Sequence, residues 1–328
     1  MTVRLAATVA ALLALGSHRA ANADPVELTI IPVGLGADAT IESEADPLAW
    51  RGGLRISCAD DRFGGLSDLV VSEDGKRLIA VSDDGRWFTA RLLYDEEGML
   101  RGIEDGWMAR LRGPDGKRLK GKAEGDAEAL AVLEDDSTLV GFERDHRILR
   151  YPPGTPPQAG APARFPSPPG IAQAPNNSGI EALAALSDGG VLALTEGQEA
   201  DDGLAAYLWA ENDWSSLTYK TDLDFKPTGV ARLPNGDLMV LERRASLLGG
   251  FATRLRRISG QELRPGPVPP GVLRGTPLAT LRPPFPLENY EGIAARADQD
   301  GGTLLYLLSD DDFNAFRETF LVMLVLED

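Results

Sequence analysis

Acidic side chains are the residues of this sequence most suited to chemistry, because they recur at matched positions of hairpin-like segments. If each hairpin turns on two residues, positions that face each other across its strands have numbers with a constant sum. Like charges placed directly opposite each other destabilise a sheet unless something offsets them. Turns at Asp135-Asp136, Asp188-Gly189 and Asp300-Gly301 predict three such pairs: Glu128 with Glu143, Glu181 with Glu196, and Glu291 with Asp310.

Two further hairpins align with these three but carry different residues at the matched positions. All five predicted pairs lie at the open ends of their hairpins, so we expect them at one end of the molecule. The two additional pairs are Ser67 with Ser82, beside Asp83, and Thr228 with Arg243, beside Glu242.

Oxygen ligands arriving from several strands favour Ca²⁺, which accepts six to eight oxygens in loose geometry. Zn²⁺ would instead favour histidine or cysteine ligands. The alternative is that the acids cap strands, form a solvated rim, or are neutralised by neighbouring arginines. The candidate metal ligands are Asp83, Glu128, Glu143, Glu181, Glu196, Glu291 and Asp310, and the neighbouring arginines are Arg144, Arg147, Arg243 and Arg244.

His146 is the single histidine downstream of the N-terminal leader described below. A histidine-dependent site would have to use it, although a packing role is the other interpretation, and no G-x-S-x-G motif offers a partner serine. Asn177 precedes Glu181 and is a candidate carbonyl ligand or substrate contact. The acidic run 310–312 is either a cation site or a surface turn.

The elements that must position these side chains are five hairpin repeats. Their matched residues Ser67, Glu128, Glu181, Thr228 and Glu291 are 61, 53, 47 and 63 residues apart. This spacing is typical of four-stranded propeller blades joined by variable loops. We therefore predict an all-β fold, a β-propeller of five or six four-stranded blades, with a sixth blade placed in 105–125 or 153–175.

Further strands are predicted at 87–93, 204–209, 216–223 and 253–258. The last repeat has only three clear strands, ending with 320–326. An N-terminal segment, either 26–32 or 54–58, would supply the fourth strand and close the ring, which removes exposed sheet edges. With 328 residues, 43% of them hydrophobic, the chain is long enough for one such domain over 24–328.

The N-terminus has the features of a secretory signal peptide. Arg4 precedes an apolar run over 5–15, and Ala21-Asn22-Ala23 is a small-x-small cleavage site. The run is shorter than the about 20 residues that span a bilayer, which argues against the alternative of a membrane anchor. We expect cleavage after Ala23, a periplasmic or secreted location, and a soluble monomer with no membrane association after cleavage.

Charge and cysteine content limit the partners. Residues 1–23 hold two cations and no acids, so their removal changes the net charge from −17 to −19. Such a charge repels nucleic acid and anionic membranes. Cys58 is the only cysteine, which excludes disulfides within the chain.

Over six segments between residues 63 and 295, the chain resembles the phytase-like, esterase-like family of exported bacterial proteins. The resemblance implies a propeller and the hydrolysis of phosphate or other esters, and Asp68 and Thr228 depart from its pattern. It implies site roles for Asp83, Glu128, Glu143, Arg144, His146, Asn177, Glu181 and Glu291. The similar segments are FGGLSDL (63–69), AVSDDGRW (80–87), DAEALAV (126–132), FERDHRILRY (142–151), NNSGIEALAAL (176–186) and ENYEGIAA (288–295).

These observations together predict a Ca²⁺-assisted hydrolase of a small anionic ester. A lactonase of the calcium-propeller type and a non-catalytic propeller that binds a ligand or protein are the alternatives. The expected catalytic residues are Glu128, Glu181, Arg144 and His146, and the expected substrate contacts are Asn177, Arg147 and Arg243.

Overall fold

The computed structural model describes residues 23–35, 41, 43–44, 47–154, 160–200, 202–222, 224–246, 250–263 and 271–327. The predicted signal peptide lies outside these ranges except for Ala23. Within them, no helix has the length and apolar character needed to cross a membrane.

Three strands precede the first repeat, and the first two repeats each form one antiparallel sheet, blades 1 and 2. Blade 1 has the strand order β1-β7-β6-β5-β4, and blade 2 the order β11-β10-β9-β8. A one-turn helix, α1 (Gly121–Gly125), joins them. The strands are β1 (Asp24–Pro25), β2 (Leu28–Val33), β3 (Leu48–Cys58), β4 (Leu66–Val71), β5 (Arg77–Ser82), β6 (Arg86–Tyr94), β7 (Leu100–Arg110), β8 (Ala127–Val132), β9 (Thr138–Phe142), β10 (Arg147–Tyr151) and β11 (Ala163–Phe165).

The remaining repeats form blades 3, 4 and 5, and short 3₁₀ helices lie at Ile171–Gln173 and Gly260–Leu263. Their orders are β12-β13-β14-β15-β19, β16-β17-β18-β20 and β2-β3-β23-β22-β21. The strands are β12 (Ile180–Ala185), β13 (Val191–Ala200), β14 (Gly203–Ala210), β15 (Asp213–Tyr219), β16 (Lys226–Arg232), β17 (Leu238–Ser246), β18 (Gly250–Ile258), β19 (Val272–Leu273), β20 (Thr276–Leu281), β21 (Asn289–Ala297), β22 (Thr303–Asp310) and β23 (Thr319–Leu326).

The first strands of the five repeats, β4, β8, β12, β16 and β21, contact one another in a closed circle. The molecule is therefore a five-bladed β-propeller, and the described residues contain no sixth sheet in 105–125 or 160–175. The N-terminal strand β3 pairs with β23, and β2 pairs with β3, so two N-terminal strands lie in blade 5. The strand predicted at 216–223 is β15, which ends at Tyr219.

Apolar side chains fill the space between neighbouring blades. Trp87 of blade 1 and Tyr151 of blade 2 are both fully buried, and their rings meet edge to face with centroids 5.2 Å apart. Such a contact stabilises by about 1 kcal/mol beyond the burial of its area. This packing holds the inner strands in a fixed ring.

The hairpins of blades 2 to 5 turn on three residues rather than two, so the predicted register was wrong. In blade 2, the amide of Leu133 donates to Ser137 and the amide of Asp136 donates to Leu133. Asp136 adopts the left-handed conformation with φ 62°, a position that glycine takes in blades 3 to 5. Loops of this kind combine a type I turn with one left-handed residue.

A β-bulge in every first strand shifts the register again. It falls on Ser67, Glu128, Glu181, Thr228 and Glu291, one per blade. A bulge leaves one residue unpaired and re-aims its side chain. The predicted opposite pairs Glu128–Glu143, Glu181–Glu196, Glu291–Asp310, Ser67–Ser82 and Thr228–Arg243 therefore do not form, although all ten residues lie at the same end of the ring.

Candidate functional site

Three equivalent positions per blade surround one end of the ring, which we call the mouth. First strands begin there and second strands end there. The bulge position is the residue without a strand partner, the entry position lies two residues before it, and the exit position pairs with the entry position across the hairpin. The entry residues are Gly65, Asp126, Gly179, Lys226 and Asn289, and the exit residues are Asp83, Glu143, Glu196, Arg243 and Asp310.

Blade 2 is acidic at all three positions. One carboxylate oxygen each from Asp126, Glu128 and Glu143 lies within 4.8 Å of the others. Asp126 and Glu143 are buried, and Glu128 is half-buried. Glu143 accepts a hydrogen bond from the amide of Gly179. Within the described ranges, Glu128 forms no direct ion pair and accepts no hydrogen bond, and Lys122 interacts with it only at longer range. This triangle is the most compact acidic group of the mouth.

Glu181 of blade 3 extends the triangle. Glu143 and Glu181 lie close enough for their carboxyl groups to interact directly, and this interaction on its own lowers the pKa of Glu143 and raises that of Glu181. Burial, and then the charges of Glu143 and Glu196, raise the pKa of Glu181 well above its usual range. Burial, and then Glu181 and Glu291, do the same to the pKa of Glu128. The cluster therefore stays fully ionised only if cations neutralise it.

Two flexible cations border this acidic group at the rim. The ammonium of Lys122, on α1, lies 2.6 Å from Asp83 Oδ2 and 3.4 Å from Asp126 Oδ1. Arg144 Nε lies 2.6 Å from the other oxygen of Asp126. Both side chains are partly exposed, while Asp83 and Asp126 are buried.

The donor set fits a hard divalent cation. Within the described residues, Asp83 Oδ1 and Asp126 Oδ1 are buried and accept no hydrogen bond, and only the latter has a cation close by, Lys122 at 3.4 Å. A buried carboxylate oxygen without a donor is costly unless a cation neutralises it. The carboxylates of the triangle are all oxygen ligands, which suits Ca²⁺ rather than Zn²⁺. The described residues thus contain an acidic cluster able to hold a metal.

The opposite side of the mouth has its own cation. Arg243 lies between Glu196 and Glu291, with Nη–Oε distances of 3.0 and 2.8 Å. Asn289 also donates to Glu291, at 2.9 Å, and accepts from Arg243. Lys226 Nζ is 3.9 Å from Glu196. Glu196 and Glu291 are therefore neutralised by the chain, unlike Glu128 and Glu181.

The acidic run of blade 5 divides between two uses. Burial, and then the charges of Glu291 and Asp83, raise the pKa of Asp310 well above its usual range, so Asp310 belongs to the mouth cluster. Asp311 instead accepts the backbone amides of Gly65 and Phe313, at 2.9 and 3.0 Å. Asp311 holds the connection between blades 5 and 1.

His146 lies beside the triangle with a defined tautomer. Its Nε2 contacts the carbonyl oxygens of Ala174 and Pro175 at 3.2 and 3.1 Å, so Nε2 carries a proton. The other nitrogen, Nδ1, is buried without a hydrogen-bond partner. A Cβ on Gly179 would lie 2.5 Å from Nδ1 and 3.2 Å from Glu143 Oε1. Only glycine at 179 leaves room for both groups.

The three predicted substrate contacts differ in availability. Arg147 is buried, its guanidinium stacks 4.2 Å above the ring of Phe142, and it donates to the carbonyls of Asp145 and Glu124. It therefore anchors the segment next to the mouth. Asn177 is exposed, and Arg243 is held by its two glutamates.

The sequence analysis did not identify Asp126 and Lys122 as site residues, although both contribute to the site. Asp126 stands two residues before Glu128 in the segment DAEALAV, and the bulge brings both carboxylates to the mouth. The equivalent positions in blades 1 and 3 are glycines, so the repeat pattern did not emphasise this position. Lys122 belongs to an inserted helix with no counterpart in the repeats.

Comparison with known proteins places these features in a family. The model of the phytase-like family, described as esterase-like activity of phytase, matches residues 61–313. No curated protein matches the sequence significantly.

Three solved structures are similar over most of their length, none closely enough to define the activity of this chain. Virginiamycin B lyase from Staphylococcus aureus is 11% identical, with a TM-score of 0.42 and coverage of 92% of this chain and 100% of that one. A gluconolactonase from Xanthomonas campestris is 12% identical, with a TM-score of 0.41 and coverage of 90% and 100%. A protein of unknown function from Dyadobacter fermentans is 10% identical, with a TM-score of 0.44 and coverage of 94% and 100%.

Proposed function

The chain belongs to the phytase-like family, and we propose that it is a metal-assisted hydrolase of phosphate or other esters, with Ca²⁺ as the metal. One observation carries this proposal: carboxylates of blades 2 and 3 converge at the mouth, and within the described residues neither Glu128 nor Glu181 forms a direct ion pair, although Lys122 and Arg243 lie near enough to interact with them electrostatically. A purely structural cluster of acids would pair each carboxylate, as Arg243 pairs Glu196 and Glu291.

Asp126, Glu128 and Glu143 are the residues that would hold the metal, with Asp83 and Asp310 next to them. A bound Ca²⁺ would polarise the ester oxygen and make a water molecule more acidic. Glu291 and Glu196 remain with Arg243 and set the charge of the opposite wall.

Glu181 is the carboxyl group best placed to move a proton. It adjoins the triangle through Glu143, and burial raises its pKa well above the usual range, so it binds a proton more readily than an ordinary carboxylate. His146 Nδ1 is a second candidate for proton transfer, because it is buried without a hydrogen-bond partner. Arg144 and Asn177 lie at the rim, where an anionic group of the substrate would arrive.

The test compares three ester classes on the purified mature protein, with Ca²⁺ and with a chelator. The probes are an aryl phosphate, an aryl carboxylate ester and a sugar lactone. We expect Ca²⁺-dependent turnover of an ester, reduced by about 10² to 10⁴ in Glu181→Gln. Glu134→Gln, the same change at an exposed turn of blade 2, is the matched control.

The outcomes separate the candidate functions. Turnover of the lactone alone would reassign the site as a lactonase. A lack of turnover on every probe, or full activity in Glu181→Gln, would contradict the proposal and favour a binding propeller.

Three further statements belong to this proposal. We propose that the chain is exported after cleavage behind Ala23, that it acts as a monomer, and that β3 closes the ring within blade 5. Mass spectrometry of the exported protein tests the cleavage site, and sedimentation tests the monomer. Removal of 24–58 should prevent cooperative folding if the closure holds.

A further inference from the structure

The connection between β22 and β23, residues 311–318, carries two exposed phenylalanines, of which Phe313 lies beside the mouth residues Gly65 and Asp83. Phe313 is 44% exposed and Phe316 is 94% exposed. Among the described residues, the other large apolar side chains with such exposure are aliphatic: Ile31, Val132 and Val272. The exposed aromatic surface is therefore concentrated on the loop that follows the mouth residue Asp310.

The position of Phe313 is enforced by the backbone. Its φ is +51°, a left-handed conformation that bulky side chains rarely adopt. Its amide donates to Asp311 Oδ1 at 3.0 Å, and the same oxygen accepts the amide of Gly65 at 2.9 Å. Farther along the loop, Arg317 pairs with Asp312. The backbone of Phe313 is thus held next to the mouth by Asp311.

Phe313 adjoins the carboxylates directly. A Cβ on Gly65 would lie 2.4 Å from Phe313 Cε2 and 2.2 Å from Asp83 Oδ1. A Cβ on Gly64 would lie 2.9 Å from Phe313 Cδ1. Glycines at 64 and 65 therefore let the ring lie against the mouth, beside a buried carboxylate oxygen that accepts no hydrogen bond.

We propose that Phe313 and Phe316 form an apolar subsite, which binds an aromatic group of the ester while its polar end lies at the carboxylates. The inference rests on the proposed function and names its substrate class: an ester with one polar and one aromatic end. An aromatic ligand gains by covering exposed rings, in offset or edge-to-face contact. A uniformly polar polyphosphate would leave both rings in water and gain nothing from them.

The experiment measures binding, so it does not require turnover. Calorimetry with Ca²⁺ present compares benzylphosphonate with methylphosphonate, and 4-phenylbutyrate with acetate. In the wild type, we expect the aromatic member of a pair to bind about tenfold more tightly. Phe316→Ala and Phe313→Ala should each reduce this preference at least threefold, and Phe313→Leu should retain part of it. Val132→Ala, at the far end of blade 2, should leave it unchanged.

The results distinguish this subsite from the hydrolase proposal. An aromatic preference that Phe316→Ala and Phe313→Ala reduce supports the subsite even if no ester is hydrolysed. Ester turnover with equal preference in wild type and both variants overturns the subsite and leaves the hydrolase. Absence of binding by all four probes overturns the subsite. A dimer in sedimentation that Phe316→Ala abolishes also overturns it, because the rings would then contact a second copy of the chain.

Discussion

Glu128→Gln should make the calcium-free protein more stable and at the same time abolish its stabilisation by Ca²⁺. The variant preserves the shape of the side chain and removes one charge from the mouth. Glu128 forms no direct ion pair or hydrogen bond within the described residues, and burial with neighbouring carboxylates raises its pKa. Removal of that charge therefore relieves repulsion without breaking a direct contact, and it gives up only a longer-range attraction to Lys122.

The size of the effect follows from the triangle. Two unit charges 4.8 Å apart repel by about 3.5 kcal/mol at an effective dielectric constant of about 20. Protonation relieves part of this repulsion, since each unit of pKa shift corresponds to about 1.4 kcal/mol. We expect a net gain of about 1 to 3 kcal/mol in the free energy of unfolding near pH 8, or about 2 to 6 °C in Tm.

The assay is thermal unfolding in a chelator and again over a Ca²⁺ titration. Wild type should gain about 2.7 kcal/mol at a Ca²⁺ concentration 100 times its Kd, whereas Glu128→Gln should gain far less. Glu134→Gln, on an exposed turn of the same blade, should resemble wild type in both conditions. Destabilisation of the chelated protein by Glu128→Gln, or an undiminished response to Ca²⁺, would refute the assignment of Glu128 as an unneutralised ligand.

Three further changes probe the surrounding charges. Lys122→Met removes the ammonium that competes for Asp83 and Asp126, so calorimetry should show Ca²⁺ affinity rising about tenfold, while Lys120→Met changes little. Arg243→Met leaves Glu291 without an ion pair and Glu196 with Lys226 alone, and it should cost about 3 kcal/mol in denaturant unfolding without Ca²⁺. The fold raises the pKa of several mouth carboxyls, so these groups contribute stability that is fully present below the ordinary carboxyl pKa and is lost as the pH rises through their raised pKa. Without Ca²⁺, Tm should therefore fall as the pH rises above the ordinary carboxyl range, and Ca²⁺ should reduce that fall.

The architecture was largely predictable because its evidence is periodic. Five repeats with alternating apolar strands and turn dipeptides indicated five sheets, and the strands at 87–93, 204–209 and 253–258 match β6, β14 and β18. The parallel strand β19 pairs over two residues only. So short a pairing depends on tertiary contact and leaves no periodic pattern in the sequence.

The registers were not predictable in the same way, because two local irregularities act on each hairpin of blades 2 to 5 and the bulge alone acts on that of blade 1. A loop with Asp136 in the left-handed conformation adds one residue to the turn of blade 2. The bulge at Glu128 then adds another to the first strand. The longer turn and the bulge are formed by the same residue types as a two-residue hairpin, so the sequence does not reveal them. The sequence therefore predicted Glu128 opposite Glu143, whereas in the structure Asp126 lies opposite Glu143.

The mouth is asymmetric in charge although the backbone that surrounds it is symmetric. The bulge recurs in all five blades, so the backbone provides five equivalent positions and decides nothing about charge. Charge is decided by blade 4, which carries Lys226, Thr228 and Arg243 where blade 2 carries Asp126, Glu128 and Glu143. Because Arg243 reaches the acids of both adjacent blades, the unneutralised carboxylates remain on the far side, around blade 2. An ester that enters the mouth would therefore contact the metal-binding acids of blade 2 on one side and the ion-paired residues around Arg243 on the other.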